Sequence, residues 1–235
     1  MEKKFQDKEL GTVILRTNPR AVRYTLRVKD GAVIATMPAR GSESTLLRFI
    51  RENTAKLKEL LQRPAPSTPK LDETTKLHAN TFELHIYRTE REGFYMRLGE
   101  GFLHIACPQA TDFSDERVQT LLRSYLERAL RHEAKRILPV RLQTLAAQHG
   151  FTYVGLRIAD TKSRWGSCST QRRINLSLSL MLLPNHLLDY VILHELCHTV
   201  EMNHSARFWS LMNRVTNNSA LSLRKELKGY TTRLF

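Results

Sequence analysis

The sequence predicts an α+β fold, rich in β-hairpins in its first half and helical around a short sheet in its second. Three patterns predict this. Runs of strand-forming residues flank Asp30-Gly31 and Gly99-Glu100-Gly101, which marks two hairpins. Apolar residues at helical spacing follow each hairpin. Further on, Ile174, Leu176, Leu178 and Leu180 alternate with Asn175, Ser177 and Ser179, just before an apolar helix that Pro184 can open.

Taken in order, residues 24–28 and 32–37 form the first hairpin, with Pro38 closing it. Residues 42–61 then read as one helix, carrying Leu46, Phe49, Ile50, Leu57 and Leu60 on its inner face. Residues 64–69, Pro-Ala-Pro-Ser-Thr-Pro, read as an extended linker. The second hairpin pairs 95–98 with 102–107, and a helix over about 114–137 buries Val118, Leu121, Leu122, Tyr125 and Ala129. The two hairpin-plus-helix segments resemble an internal repeat in pattern more than in identity. Pro139 is expected to end that helix, with a separate one over 140–149 capped by Gly150. Residues 151–158 read as a strand, 162–169 as a loop, and 174–180 as a half-buried strand. Helices over about 184–200 and from 205 onward follow, the last burying Phe208, Trp209, Met212 and Val215. This divides the chain into an N-terminal part, 1–110, and a C-terminal domain, 111–235.

Composition narrows the classes. With 41% hydrophobic residues among 235, the chain can bury a core in one domain or two small ones. It holds no run of about eighteen apolar residues, and Met1-Glu2-Lys3-Lys4 leads into no apolar segment, so no membrane association is expected. Cys107, Cys168 and Cys197 are odd in number and lack CxxC spacing. That suits a reducing compartment, and the expected location is the cytoplasm. Lys and Arg outnumber Asp and Glu by 37 to 23, a formal charge of +14. Such an excess concentrates polyanions, so nucleotides or nucleic acid are conceivable partners. The basic residues are nevertheless spread along the chain rather than gathered in one block.

The chemistry is carried by His194-Glu195-Leu196-Cys197-His198 and by His204. Histidines four apart lie on one helix face, so both imidazoles can reach one metal ion. Glu195 stands where a carboxylate can take a proton from a metal-activated water. His204 can supply a third nitrogen once the chain has turned. Three protein ligands with an open position describe a catalytic zinc site. An H-E-x-x-H string arises by chance in roughly 2% of chains with this many histidines, and with the third His in about one in a thousand. Cys197 is a rival ligand but lies off the His194–His198 axis, and is read as a small core residue. The spacing from first to third His matches the metzincin pattern, with Glu201 where that pattern has Gly. Glu201 and Asn203 must therefore make the turn, and no Met-turn follows.

The loop Lys162-Ser163-Arg164-Trp165-Gly166-Ser167-Cys168-Ser169 has two readings. Sequence alone favours a tight glycine turn anchored by a buried Trp. The alternative is an element facing substrate or supporting the metal ligands, for which Arg164 and Trp165 are the candidates. The strand before the metal helix is expected to offer an edge to an extended peptide.

From Ser163-Arg164-Trp165-Gly166-Ser167-Cys168-Ser169, through Ile174-Asn175-Leu176, Pro184 and Asp189-Tyr190-Val191, to the histidine motif, Asn203-His204-Ser205 and Phe208-Trp209, the chain resembles the YgjP-like metallopeptidase family. The resemblance is strongest over 155–210 and spans about 20–230 as pattern. More distantly it is similar to the SprT and WLM zincins, which share the third His. It implies a minimal zincin-like core: a long helix, a short sheet whose edge strand borders the site, and the HExxH helix. It also implies zinc on His194, His198 and His204, with Glu195 as general base acting on peptides. Some members of the family carry a UTP pyrophosphatase label.

Three functions therefore compete. The leading one is a zinc metallopeptidase acting on a peptide or protein substrate, its oxyanion donor open among His186, Tyr190 and Arg207. A metal-dependent nucleoside triphosphate pyrophosphohydrolase is the second, favoured by the basic balance and by Arg164 and Lys162, but lacking a P-loop. The third is a non-catalytic basic module with a structural zinc, which would need Cys197 as a fourth ligand.

Overall fold

The computed structural model describes residues 2–62, 69–161 and 163–232. The expected linker therefore lies outside the described residues except for Pro69, and Lys162 lies outside them too. The chain divides into two compact units, residues 1–67 and 68–235. The boundary expected at 110 falls inside the second.

The first unit is a four-stranded sheet covered by helix. Strands β1 (Glu2–Asp7), β2 (Gly11–Asn18), β3 (Thr25–Lys29) and β4 (Ala32–Pro38) lie in the order β1-β2-β4-β3, with β2 parallel to β4. The expected hairpin is β3–β4. Asp30 and Gly31 both have positive φ, 49° and 70°, the backbone that suits a two-residue hairpin turn. Val13, Leu15, Val33 and Ala35 pack beneath Leu46, Ile50 and Leu57. The helix expected over 42–61 is two helices, α1 (Glu43–Glu52) and α2 (Thr54–Gln62). The break has a local cause. The Asn53 side-chain amide donates to the Phe49 carbonyl at 2.8 Å, and the Thr54 hydroxyl donates to that of Ile50 at 3.2 Å. Both side chains thus compete with the backbone ladder.

The second unit repeats the strand–hairpin–helix succession. Strands β5 (Glu83–Thr89), β6 (Tyr95–Gly99) and β7 (Phe102–Pro108) take the order β5-β7-β6, with β5 parallel to β7 and Glu100-Gly101 turning the hairpin. Helix α3 then runs unbroken over Glu116–His149, capped by Asp115 and by left-handed Gly150. Pro139 sits inside it, so the expected break is absent. Ala134, Leu138, Leu142 and Leu145 stay on one buried face through the proline. Their burial outweighs the lost hydrogen bond, a cost of about 3 kcal/mol. Gln119, wholly buried, accepts from the Leu71 amide and donates to the carbonyls of Leu71 and Phe113, fixing the segment that leads to β5.

A second sheet positions the site. Strands β8 (Gly155–Ala159), β9 (Gly166–Cys168) and β10 (Arg173–Ser177) are ordered β8-β10-β9. β10, the strand preceding the metal helix, is therefore central, and the edge is β9, inside the segment expected to be loop. β10 ends earlier than its alternation suggests. The Ser177 hydroxyl accepts from the Ser179 amide and starts a 3-10 turn over Leu178–Leu182. Ser177 and Ser179 are buried along with Leu178 and Leu180, so the alternation there did not mark two faces.

Helix α4 (Asn185–Cys197) follows Pro184 and is apolar nearly all round. A bidentate ion pair between Arg141 and Asp189 ties it to α3. Helices α5 (Ala206–Val215) and α6 (Ala220–Leu227) complete the unit.

Candidate metal centre and the cavity beside it

His194 lies in the last turn of α4 and His198 caps it. The chain then reverses without any left-handed residue at Glu201 or Asn203. The Val200 and Glu201 amides donate to the Cys197 carbonyl at 3.1 and 2.9 Å. A turn of this kind needs no glycine. It delivers His204 directly before Ser205, whose hydroxyl accepts from the Phe208 amide and caps α5.

The three imidazoles converge through Nε2. His194 Nε2 lies 3.2 Å from that of His198 and 3.0 Å from that of His204. Zinc–nitrogen bonds of 2.0–2.1 Å in a tetrahedron put neighbouring nitrogens about 3.3 Å apart, so the spacing suits a shared ion. The proton positions point the same way. A carbonyl can only accept, so His198 Nδ1 donates to Glu201 O at 2.9 Å, leaving Nε2 with a free lone pair. His194 Nδ1 is buried with no partner among the described residues. Burial, with His198 and His204 alongside, lowers the His194 pKa to about 3, so the ring is a neutral donor. Desolvation also lowers the His204 pKa, with His198 adding to it. His194, His198 and His204 offer three imidazole nitrogens that could hold one metal ion.

Phe208 is the common support. It is fully buried, and its ring centroid lies 4.9, 4.6 and 4.8 Å from those of His194, His198 and His204. Trp209 stacks on His204 at 6.0 Å. Cys197 is not one of the converging groups. It is wholly buried, and desolvation pushes its thiol up to about 12.

Glu195 points away from the apolar interior towards β9. Only 5% exposed, it leaves Oε2 without a partner among the described residues. Burial raises its pKa to about 8, against the opposing charge of Arg164. Gly166 makes room for it: a Cβ there would stand 2.8 Å from Glu195 Cγ and Oε1. Gly166 has no positive φ and opens β9, so the expected glycine turn is replaced by a close approach of strand to carboxyl.

Arg164, Trp165, Gly166, Tyr190, Val191, His194, Glu195, Arg224 and Leu227 enclose a cavity of about 270 Å³. Trp165 is half-buried at its wall rather than anchored in the core. Of the three expected oxyanion donors, Tyr190 lines the cavity, whereas His186 is engaged with Glu226 at 2.7 Å and Arg207 lies elsewhere on the surface. Arg224 and Gly166 escaped the sequence reading. Arg224 lies twenty positions beyond the last histidine, and no motif spacing points to it. Gly166 stood inside a quoted motif, but its role depends on where Glu195 packs.

The sequence profile of a family described as "YgjP-like, metallopeptidase domain" matches residues 22–230. No curated protein matches the chain. A solved structure, the metallopeptidase zymogen of Pyrococcus abyssi abylysin, aligns over 40% of this chain and 93% of its own length, at 20% identity and a TM-score of 0.37.

Proposed function

The chain belongs to the YgjP-like metallopeptidase family, and from that premise we propose that it is a zinc peptidase in which Glu195 carries the proton. The observation that supports this most directly is the buried Glu195 Oε2, without a partner among the described residues, lining the same cavity as His194, whose Nε2 approaches those of His198 and His204.

His194, His198 and His204 would hold the metal, each through Nε2. Bound there, zinc would supply Lewis acidity to a scissile carbonyl and lower the pKa of a water towards about 7. The rest falls to the chain's own groups. Glu195 Oε2 accepts the proton of the attacking water and returns it to the departing amine nitrogen. The charge of Arg164 opposes the burial that favours the protonated carboxyl, and a metal held by the histidines would act in the same direction. Trp165, Val191 and Leu227 exclude water from one side of the cavity. The short edge strand β9 is the backbone against which an extended peptide would lie.

The other readings have less support. No cluster of carboxylates suited to magnesium accompanies the histidines among the described residues. A structural zinc needs a fourth protein ligand, and Cys197 is turned into the core. Three unpaired cysteines suit the cytoplasm as the working compartment.

The test is zinc content together with hydrolysis of unfolded protein, for wild type and Glu195→Gln. We expect about one zinc per chain in both, and a loss of at least about a thousandfold in kcat for the variant, as expected when both proton transfers fail. Equal activity in the two proteins removes Glu195 from the mechanism. Absence of zinc from the wild type removes the proposal itself.

A further inference from the structure

Two arginines, Arg164 and Arg224, line the cavity. Arg164 leads into β9, and Arg224, on α6, lies over the Trp209 ring at 5.0 Å from its centroid. Among the described residues neither forms an ion pair, whereas Arg88, Arg136 and Arg141 each meet an acid. Glu226, the acid nearest to Arg224 on its own helix, is occupied by His186. Glu195 is the one carboxylate lining the cavity, and it is reserved for the proton. Two forks with free donors, set into walls of Trp165, Val191 and Leu227, suit an anion attached to an apolar body. At about 270 Å³ the cavity is large enough to take the side chain of one residue.

Building on the peptidase reading above, we propose that Arg224 and Arg164 form a carboxylate subsite, gripping a carboxylate of the peptide substrate beside the bond presented to Glu195. The carboxylate comes either from the chain terminus or from an Asp or Glu side chain. Either source offers two oxygens to a planar fork. Arg224, lying over the Trp209 indole, is the principal contact, and Arg164 the second.

The test uses the full chain, zinc-loaded, with peptides of one apolar sequence in three forms: free acid, C-terminal amide, and amide with a Glu near the scissile bond. The reference proteins are wild type, Arg224→Gln, Arg164→Gln and Arg224→Lys. For wild type we expect at least one carboxylate-bearing form to show a KM at least tenfold below the neutral amide. Preference for the free acid or for the Glu peptide identifies the source. That ratio should collapse towards one in Arg224→Gln, shrink in Arg164→Gln, and survive partly in Arg224→Lys, which keeps charge but not the fork. A second readout needs no turnover. Trp165 and Trp209 are the chain's two tryptophans, so quenching of their fluorescence reports binding in zinc-loaded and chelated protein alike. Acid and amide should differ at least tenfold in Kd there too. Cleavage of all three peptides with equal KM and Kd overturns the subsite and leaves the peptidase. Carboxylate-dependent binding without cleavage retains the subsite and sinks the peptidase. Hydrolysis of UTP that is lost in Arg224→Gln, with no peptide bound, overturns both.

Discussion

Glu195 and Gly166 show how closely the carboxyl proposed as the base is held against β9. The strand carries no side chain where the carboxyl passes, and any Cβ would enter its van der Waals envelope. Gly166→Ala should therefore keep the metal while lowering kcat by roughly a hundredfold, through displacement of the base by about an ångström. Zinc content and steady-state kinetics on the same preparation check this. Unchanged kcat would mean that the carboxyl finds an equally good position. Phe208 is the counterpart beneath the ligands. Phe208→Ala removes a fully buried ring and should cost about 3–5 kcal/mol in denaturant unfolding, with weaker zinc retention. At this scale the approach of His194 to His198 was legible, because i, i+4 spacing on a helix is geometry written directly in sequence. Arg224 was not, since its place depends on how α6 folds back across α4.

Elements were legible where one local rule governed them. Asp30-Gly31 and Glu100-Gly101 set both hairpins, since a turn with two positive φ angles selects such residues. They were misread where two rules competed. Pro139 argues for a helix end, yet the apolar stripe of α3 continues on both sides of it and prevails. Ser177 and Ser179 argue for an exposed strand face, yet one of them caps a turn and both are buried. The strands β1, β2 and β5 went unseen: β1 is mostly polar and exposed, and β2 and β5 run parallel to β4 and β7, so no tight-turn signal marks those pairings. Removing the proline offers a direct check on that balance. Pro139→Ala restores a helical donor at the cost of a looser unfolded chain. The net gain should be about 2 kcal/mol, or ~5 °C in Tm, by thermal unfolding. An unchanged or lower Tm would show that α3 has adapted to the ring.

The whole molecule holds two separate cores, one under each compact unit. Calorimetry should resolve two unfolding transitions, and chelation should shift only that of residues 68–235. At free zinc a hundredfold above Kd the expected difference is about 2.7 kcal/mol. A single transition that moves as one on chelation would contradict this independence. The shift should be bounded, because Phe208 packs against all three imidazoles and is itself part of the core of residues 68–235. Zinc fingers collapse when starved, since there the ion is the core. Under the zinc reading proposed above, chelation should silence this molecule without unfolding it, and resupply should restore it without new synthesis.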